Sequence, residues 1–165
     1  MNHKTEVRKV EHAYELDDLD KQILQILLKD ASIPYTEIAK GLSVSGGTIH
    51  VRMRKMQEAG IILGSRLIID PSLLGFDILA FIGIYLEKGS DYKKASEALL
   101  NIPEIIEMHY TTGLYNIFAK VICRDTTHLR NVLNNKIQVI PGVQRTETFI
   151  SLEQSIDREI KLYVE

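Results

Sequence analysis

The sequence has a single cysteine and no apolar run long enough to cross a membrane. A spanning helix needs roughly 20 consecutive apolar residues, and the first fifteen residues are polar, without the apolar segment of a signal peptide. We therefore expect a cytoplasmic protein that contacts no membrane. Cys123 can form no internal disulfide and follows Val121 and Ile122 in a strand-like run. We expect it to be a buried apolar residue rather than a nucleophile.

Sequence motifs of enzymatic chemistry are also missing. There is no C-x-x-C pair, no phosphate-binding loop and no nucleophile motif. The five histidines, at positions 3, 12, 50, 109 and 128, are scattered and lack the spacing of metal ligands. We therefore expect no catalytic residue, no metal site, no cofactor and no enzyme activity.

The net charge of -2 is small, but the charges are unevenly distributed. Between Lys40 and Arg66, five Lys and Arg residues stand against Glu58 alone, whereas from Leu67 to the end ten Lys and Arg stand against thirteen Asp and Glu. A confined basic patch on an otherwise acidic chain is typical of an anion-binding surface, although a solvated helix face has a similar composition.

The spacing of apolar residues predicts three helices within residues 16–63. The first begins after Asp17, an N-cap residue with a second aspartate three positions on. The second begins near Pro34, and the third extends from the N-cap Ser45 to Gly60, where glycine can close a helix. The short connection between the second and third helices predicts a helix-turn-helix.

The third helix has an apolar face and an opposite, partly basic face. Ile49, Met53 and Met56 recur at helical spacing and are predicted to pack on the first two helices. The opposite face and its flanks carry the residues that a DNA major groove would meet, namely Gly46, Gly47, His50, Val51, Arg52, Arg54 and Lys55. The two glycines either permit close approach of a ligand to the first turn or are merely tolerated there, since glycine costs about 1 kcal/mol in a helix interior.

The remainder of the chain predicts a second domain with strands and helices. Residues 1–15 are interpreted as a mobile arm, and residues 64–75 as a wing or hinge strand with a linker. Residues 76–165 follow the order β-α-β-β-α-β, which is typical of a ferredoxin-like antiparallel sheet with two helices on one face. An Ile-Pro pair follows each helix of this region, at Ile102 and at Ile140, as expected of two related halves. The predicted fold class is α+β.

Taken together, these segments resemble the Lrp/AsnC, or feast/famine, family of transcriptional regulators. The resemblance rests on five strings in this order: LDDLDKQILQILLKDASIPYTEIAKGLSVS, IHVRMRKMQEAGII, IIDPSLLG, TTGLYNIFAKV and IPGVQRTETFISL. It implies a helix-turn-helix DNA-binding domain of winged type, followed by a ligand-sensing and oligomerising domain. The expected partners are double-stranded DNA, a small-molecule effector such as an amino acid, and further copies of the chain, as dimers that often assemble to octamers.

By this resemblance the third helix is the recognition helix. Arg52 and Arg54 occupy basic positions of the family pattern and are predicted to contact phosphates, while His50 and Val51 are better placed for base edges. Because few of these side chains can form paired hydrogen bonds to a base, we expect modest sequence selectivity, supplemented by DNA bending. The predicted DNA-binding residues are Ser45, Gly46, Gly47, Thr48, His50, Val51, Arg52, Arg54 and Lys55.

The resemblance also implies an effector pocket in the second domain. Its predicted residues are those of the turn before the third strand and two of the last strand, namely Thr112, Gly113, Leu114, Tyr115, Asn116, Thr146 and Thr148. Many family members carry aspartates where this chain has Leu114 and Asn116, so the usual counter-ion for an ammonium group is missing. The alternative is that these residues form no effector site. The turn is then a plain hairpin turn, and the two threonines are simply residues with a high propensity for strands.

Two other functions share this fold. Sirohaem decarboxylases resemble the family in both domains, so the fold alone does not decide between a regulator and an enzyme. An anionic tetrapyrrole would need several convergent basic side chains, whereas the histidines here are scattered. A ligand-binding or assembly protein whose helix-turn-helix no longer binds DNA is the third alternative. The basic patch on the third helix favours the regulator.

Overall fold

The computed structural model describes residues 14–163, which form two compact units. One unit extends to Leu67 and takes in the chain from Asp157 onward, and the other is Ile68–Ile156. The predicted arm, residues 1–15, lies outside the described residues except for its last two positions. None of the helices described is long and apolar enough to span a membrane. The domain boundaries given by the sequence stay predictions.

The first unit contains the three predicted helices, α1 (Asp18–Lys29), α2 (Tyr35–Gly41) and α3 (Gly46–Glu58). The predicted caps are confirmed. The Asp17 carboxylate accepts from the backbone N–H three positions on at 2.9 Å, and the side chain at that position accepts from the Asp17 N–H at 3.3 Å, which makes a capping box. Ser45 Oγ likewise accepts from a backbone N–H of the first turn of α3, at 3.1 Å.

The ends of α2 and α3 form the same turn with different residues. After α2, Ser43 has a φ of 56°, and the next N–H donates to the Ala39 carbonyl at 3.0 Å. After α3, Gly60 has a φ of 72°, and the next N–H donates to the Met56 carbonyl at 2.9 Å. Both are Schellman motifs, which need a residue in the left-handed region. Glycine adopts this region without strain and serine does not, so the helix-turn-helix turn stores strain at Ser43.

The core of the first unit lies between the three helices. The side chains predicted for the inner face of α3 are buried, which confirms that face. They pack against buried residues of the other two helices, and the full set is Ile23, Ile38, Ala39, Ile49, Met53 and Met56. Burial of these side chains, rather than helix propensity, holds the short α2 and the glycine-led α3 in place.

The strand predicted after α3 is not formed in the single chain. Residues 62–70 have no regular secondary structure and pair with no strand. The apolar side chains after Ile62 are nevertheless exposed, with Leu67 at 87% and Ile68 at 83%. A strand satisfies its backbone groups only by pairing, and residues 14–163 of one copy supply no partner here. A 3-10 turn, Ser72–Leu74, follows this segment.

The second unit confirms the predicted β-α-β-β-α-β order. Its four strands form one sheet in the order β2-β3-β1-β4, with antiparallel neighbours. The last helix continues as a π-helical turn over Leu133–Ile137. The elements are β1 (Ile78–Leu86), α4 (Tyr92–Leu99), β2 (Ile105–Tyr110), β3 (Ile117–Cys123), α5 (Thr126–Val132) and β4 (Val143–Ile150).

Both helices of the second unit pack on one face of this sheet. Alternate residues of β1 and β3, including Ile82, Ile84 and Val121, are fully buried against them. Cys123 belongs to the same core, as predicted, and burial raises the pKa of its thiol to about 11. Glu104 lies on the helix-covered side of the sheet and accepts hydrogen bonds from Lys136 Nζ at 2.6 Å and His128 Nε2 at 3.1 Å. Neither helix of the second unit packs on the opposite face of the sheet.

Each helix of the second unit leads into the following strand through the same tight turn. The N–H of Ile105 donates to the Ile102 carbonyl, and the N–H of Val143 donates to the Ile140 carbonyl, both at 3.1 Å. Ile102 and Ile140 are both buried in the core. The Ile-Pro repeat in the sequence therefore corresponds to a structural repeat.

Candidate DNA-binding surface and effector site

The exposed face of α3 carries most of the predicted DNA-binding residues. Val51 is 43% exposed and the Arg54 side chain 70% exposed. Arg54 Nε lies 3.8 Å from a carboxylate oxygen of Glu58 one turn on, an exposed pair that holds the guanidinium weakly. Lys55 has no hydrogen-bond or ion-pair partner in the described part of the chain. Both cations are therefore free to pair with an external anion.

His50 lies on the same face and is oriented by α2. Its ring meets the Tyr35 ring edge-on, with centroids 4.9 Å apart. Since Tyr35 is the first residue of α2, this contact connects the exposed face of α3 to the start of the preceding helix. An aromatic contact of this kind restricts the position of the ring.

The two glycines of the first turn have no intramolecular role. A Cβ added at Gly46 would meet nothing within 4 Å, and one at Gly47 would lie 3.7 Å from Ser45 Oγ, an ordinary contact. Neither residue has a positive φ. As the first residues of α3, both present backbone N–H groups that have no acceptor within the helix. Folding of the first unit therefore does not require glycine at these positions.

Arg52 is placed differently from Arg54. Its Nη1 donates to Asp17 Oδ2 at 2.6 Å and to Asp20 Oδ1 at 2.9 Å, and only 25% of the side chain is exposed. The hydrogen bonds to Asp17 and Asp20 raise the pKa of Arg52, while hydrogen bonds from the Asp20 N–H and from Arg52 lower the pKa of Asp17. Arg52 is therefore held against α1 in this structure.

The predicted effector turn is closed by its own hydrogen bonds. The Thr111 N–H and side-chain hydroxyl donate to the carbonyls of Asn116 and Tyr115, at 3.0 and 2.7 Å, and Gly113 has a φ of 110°. Asn116 Oδ1 accepts from the Leu86 N–H at 2.8 Å, so this amide holds the end of β1. Leu114, at the tip of the turn, is 79% exposed.

The sheet separates the two groups of predicted effector residues. Thr146 pairs with Ile84 and Thr148 with Ile82, residues that face the helices. Thr146 Oγ1 accepts from Gln138 Nε2 at 2.9 Å, on that same side. Directly paired residues of neighbouring strands point to the same face. The two threonines therefore lie on the helix-covered face.

Tyr115 lies on the opposite, open face. Its ring covers Gly83, where an added Cβ would lie 2.4 Å from the ring carbon Cδ1. Glycine is required at this position of β1 because any side chain would occupy the space of the ring. The ring also meets those of Tyr85 and Phe149, with centroids 5.2 and 6.3 Å away. Tyr115 is therefore fixed flat on the open face of the sheet.

Glu147, which the sequence reasoning missed, is the carboxylate that the structure brings to Tyr115. Tyr115 and Tyr85 donate their hydroxyls to Glu147 at 2.8 and 3.0 Å, and Arg145 Nη1 donates to it at 2.9 Å. The Arg145 guanidinium also stacks 3.7 Å above the Tyr85 ring. The hydrogen bonds from Tyr115 and Tyr85 lower the pKa of Glu147. The alternation of strand residues was the available signal, since Glu147 lies between Thr146 and Thr148.

Further aromatic residues extend this open face. The Phe81 and Phe118 rings stack with centroids 5.9 Å apart, and Tyr115 meets Phe118 at 5.8 Å. Phe149, on the edge strand β4, is 48% exposed. We call this set of residues, Phe81, Tyr85, Tyr115, Phe118 and Phe149, the open aromatic face. An exposed aromatic patch of this kind marks an interaction surface.

Comparisons with known proteins agree with both units. Residues 16–62 match the family model for winged helix-turn-helix DNA-binding domains, and residues 79–160 match that for the Lrp/AsnC ligand binding domain. The regulatory protein AsnC of Haemophilus influenzae is 48% identical over 148 residues, which are 90% of this chain and 99% of that protein. The chain belongs to the Lrp/AsnC family. AsnC of Escherichia coli is likewise a regulatory protein, and a relative from Pyrococcus furiosus, 38% identical over 84% of this chain and 90% of its own, is an HTH-type transcriptional regulator. This chain is therefore a DNA-binding transcriptional regulator with a small-molecule ligand domain and not an enzyme.

Two solved structures have the same fold. Escherichia coli AsnC superimposes with a TM-score of 0.87 at 48% identity, covering 90% of this chain and all of that one. A transcriptional regulator from Neisseria meningitidis, solved as a complex with L-methionine, superimposes with a TM-score of 0.84 at 18% identity and covers 90% of this chain and 97% of its own. The AsnC relatives, at 48–49% identity, are regulatory proteins, so they support the regulator and not the sirohaem decarboxylase alternative.

Proposed function

We propose that this regulator binds operator DNA through the exposed face of α3. The observation that carries the proposal is the separation of charges on that helix, with Arg54 and Lys55 exposed and Arg52 turned away. The exposed cations would pair with phosphates and set the register of the helix in the major groove, while His50 and Val51 would meet base edges. The bare first turn, Gly46 and Gly47, would let the backbone N–H groups approach a phosphate closely.

The proposed effector is an amino acid that binds beside the predicted turn. Leu114 and Asn116 supply no carboxylate, and Asn116 is engaged with β1. Tyr115 and Glu147 provide an aromatic ring and a carboxylate within one hydrogen-bonded cluster. The relative from N. meningitidis, whose complex contains L-methionine, supports an amino acid as the class of ligand. Thr146 and Thr148 lie on the other face, so we expect them to contribute to this site only from a different subunit.

The proposed assembly is a homo-oligomer built from dimers. Two features of the described residues support it: the open aromatic face, and the segment 62–70, which exposes Leu63, Leu67, Ile68 and Ile69 and has no strand partner among these residues. A second copy of the chain would cover the open aromatic face and pair with residues 62–70, because a two-fold axis brings identical surfaces together. Sedimentation velocity should show a dimer or larger species, and Phe149→Glu should shift it toward smaller species. A wild-type monomer at micromolar concentration would contradict this assembly.

The function is tested by fluorescence anisotropy with labelled DNA from upstream of the protein's own gene. Titrations at two salt concentrations, with and without an amino-acid mixture, should show salt-sensitive binding that is tighter than binding to a scrambled duplex of equal length. The mixture should shift the affinity. Equal binding to both duplexes would contradict an operator at this site, while an affinity that the mixture leaves unchanged would contradict an amino-acid effector.

A further inference from the structure

The recognition helix is attached to α1 by a buried ion pair. Asp20 is 1% exposed, and both of its carboxylate oxygens have donors. Oδ1 accepts from Arg52 at 2.9 Å, and Oδ2 accepts from the Tyr14 hydroxyl at 2.9 Å and from the Asp17 N–H at 3.3 Å. A buried carboxylate without a charged partner is strongly unfavourable. Arg52 is the cation that compensates Asp20, so moving Arg52 to a phosphate would leave Asp20 unpaired.

The two bonds from Arg52 also constrain the rotation of α3 about its axis. Nη1 donates to Asp17 and Asp20 together, at 2.6 and 2.9 Å, and these two carboxylates belong to the N-cap and the first turn of α1. The neighbouring helical residues Val51 and Arg54 follow this orientation, since successive side chains are 100° apart. We call the contacts of Arg52 with Asp17 and Asp20 the clamp. A rotation of α3 that breaks the clamp would change the direction in which the exposed face of this helix points.

We propose that Arg52 is a positioning residue for DNA binding. It fixes the orientation of α3 through Asp17 and Asp20, and it contributes no phosphate contact, unlike the role that the family pattern implies. The exposed Arg54, two residues away, supplies the phosphate contact and is the natural comparison. Both residues are arginines on one helix, and they differ in whether the guanidinium is committed to the fold.

The two roles predict opposite effects of changing the acidic partners. If Arg52 positions α3, Asp17→Asn removes part of the clamp and lowers DNA affinity. Asparagine retains N-cap function, so α1 itself is preserved. If Arg52 instead contacted a phosphate, Asp17→Asn would release the guanidinium, remove a negative charge near the DNA and raise the affinity. Measurements at high salt suppress the contribution of long-range charge.

The experiment is a salt series of anisotropy titrations with Arg52→Gln, Arg52→Lys, Asp17→Asn and Asp20→Asn, and with Arg54→Gln as the matched control. Each folded variant of the clamp should lose affinity, by about tenfold for Arg52→Gln, while the slope of log affinity against log salt stays at the wild-type value. Arg54→Gln should reduce that slope by about one. Arg52→Lys, which keeps the charge but lacks the forked geometry, should not restore the affinity.

Three results would overturn the proposal. They are a reduced slope for Arg52→Gln, full affinity for Arg52→Lys, and a gain in affinity for Asp17→Asn at high salt. Circular dichroism establishes that each variant is folded at the titration temperature. Should Asp20→Asn fail to fold, Asp17→Asn and Arg52→Lys still decide the question, since Asp17 is half exposed and lysine preserves the charge.

Discussion

The two units of this chain place their candidate site residues in different ways. In the helical unit, the predicted residues other than Arg52 lie on the exposed face of one helix or in its first turn. In the sheet unit, the predicted effector residues divide between opposite faces, with Tyr115 on one and Thr146 on the other. A helix face follows from the 3.6-residue period alone, whereas neighbours across a sheet depend on strand order and register, which one sequence does not specify.

The two surfaces also differ in how their charges are satisfied. On α3, Arg54 has only a weak, exposed partner. On the sheet, the Glu147 carboxylate already accepts from two tyrosines and an arginine. A surface with free charges suits a highly charged partner such as DNA, which is attracted over a distance. A cluster whose charges are already paired suits a small ligand or a subunit, because contact with either one then buries no unpaired charge.

The largest predicted effect concerns the packing of Tyr115 on the sheet. Gly83→Ala places a Cβ 2.4 Å from a ring carbon, so the ring must leave its position. We expect a loss of about 1–3 kcal/mol in the free energy of unfolding, measured by urea denaturation. Gly89→Ala is the matched control, since an added Cβ there meets nothing within 4 Å.

A double variant tests whether Tyr115 is the cause. Tyr115→Ala in the Gly83→Ala background should restore part of the lost stability, because it removes the clash. Additive losses from the two substitutions would show that the tyrosine ring does not depend on the glycine, and the assignment of Tyr115 to the open face would then be wrong.

A second prediction concerns the first turn of the DNA-binding surface. Gly46→Ala and Gly47→Ala should each raise the stability of the fold by up to about 1 kcal/mol, since alanine favours helix and meets no obstacle within the chain. We expect DNA affinity to fall nevertheless, because the methyl groups would separate the backbone from a phosphate. Gly41→Ala in α2 is the control for helix stability alone. A gain in DNA affinity would show that the glycines merely weaken the helix.

The smallest predicted effect compares the two helix ends in the first unit. Ser43→Gly should stabilise the fold by about 0.5–1 kcal/mol, because glycine relieves the left-handed strain after α2. Gly60→Ala should destabilise it by about 1 kcal/mol for the same reason after α3. Thermal unfolding of both variants measures the difference. Equal melting temperatures would contradict the strain assigned to the turn.

Much of the fold could be predicted from local signals. Asp17, Ser45 and Gly60 marked helix ends by cap chemistry, and the order of apolar segments indicated the ferredoxin-like domain. The clamp was missed because Arg52 and Asp17 are 35 positions apart in the sequence. The absence of pairing at residues 62–70 could not be foreseen either, since an apolar alternating segment predicts a strand without saying which chain supplies its partner.

We expect the exposed face of α3 to contact DNA through Arg54. The most direct test is the salt dependence of operator binding for the wild type, Arg54→Ala and the control Lys93→Ala, whose exposed lysine lies on α4 of the other unit. Between about 50 and 200 mM salt, Arg54→Ala should weaken binding to every duplex and reduce the slope of log affinity against log salt by about one. Lys93→Ala should leave the slope unchanged. Equal slopes for Arg54→Ala and the wild type would contradict the account.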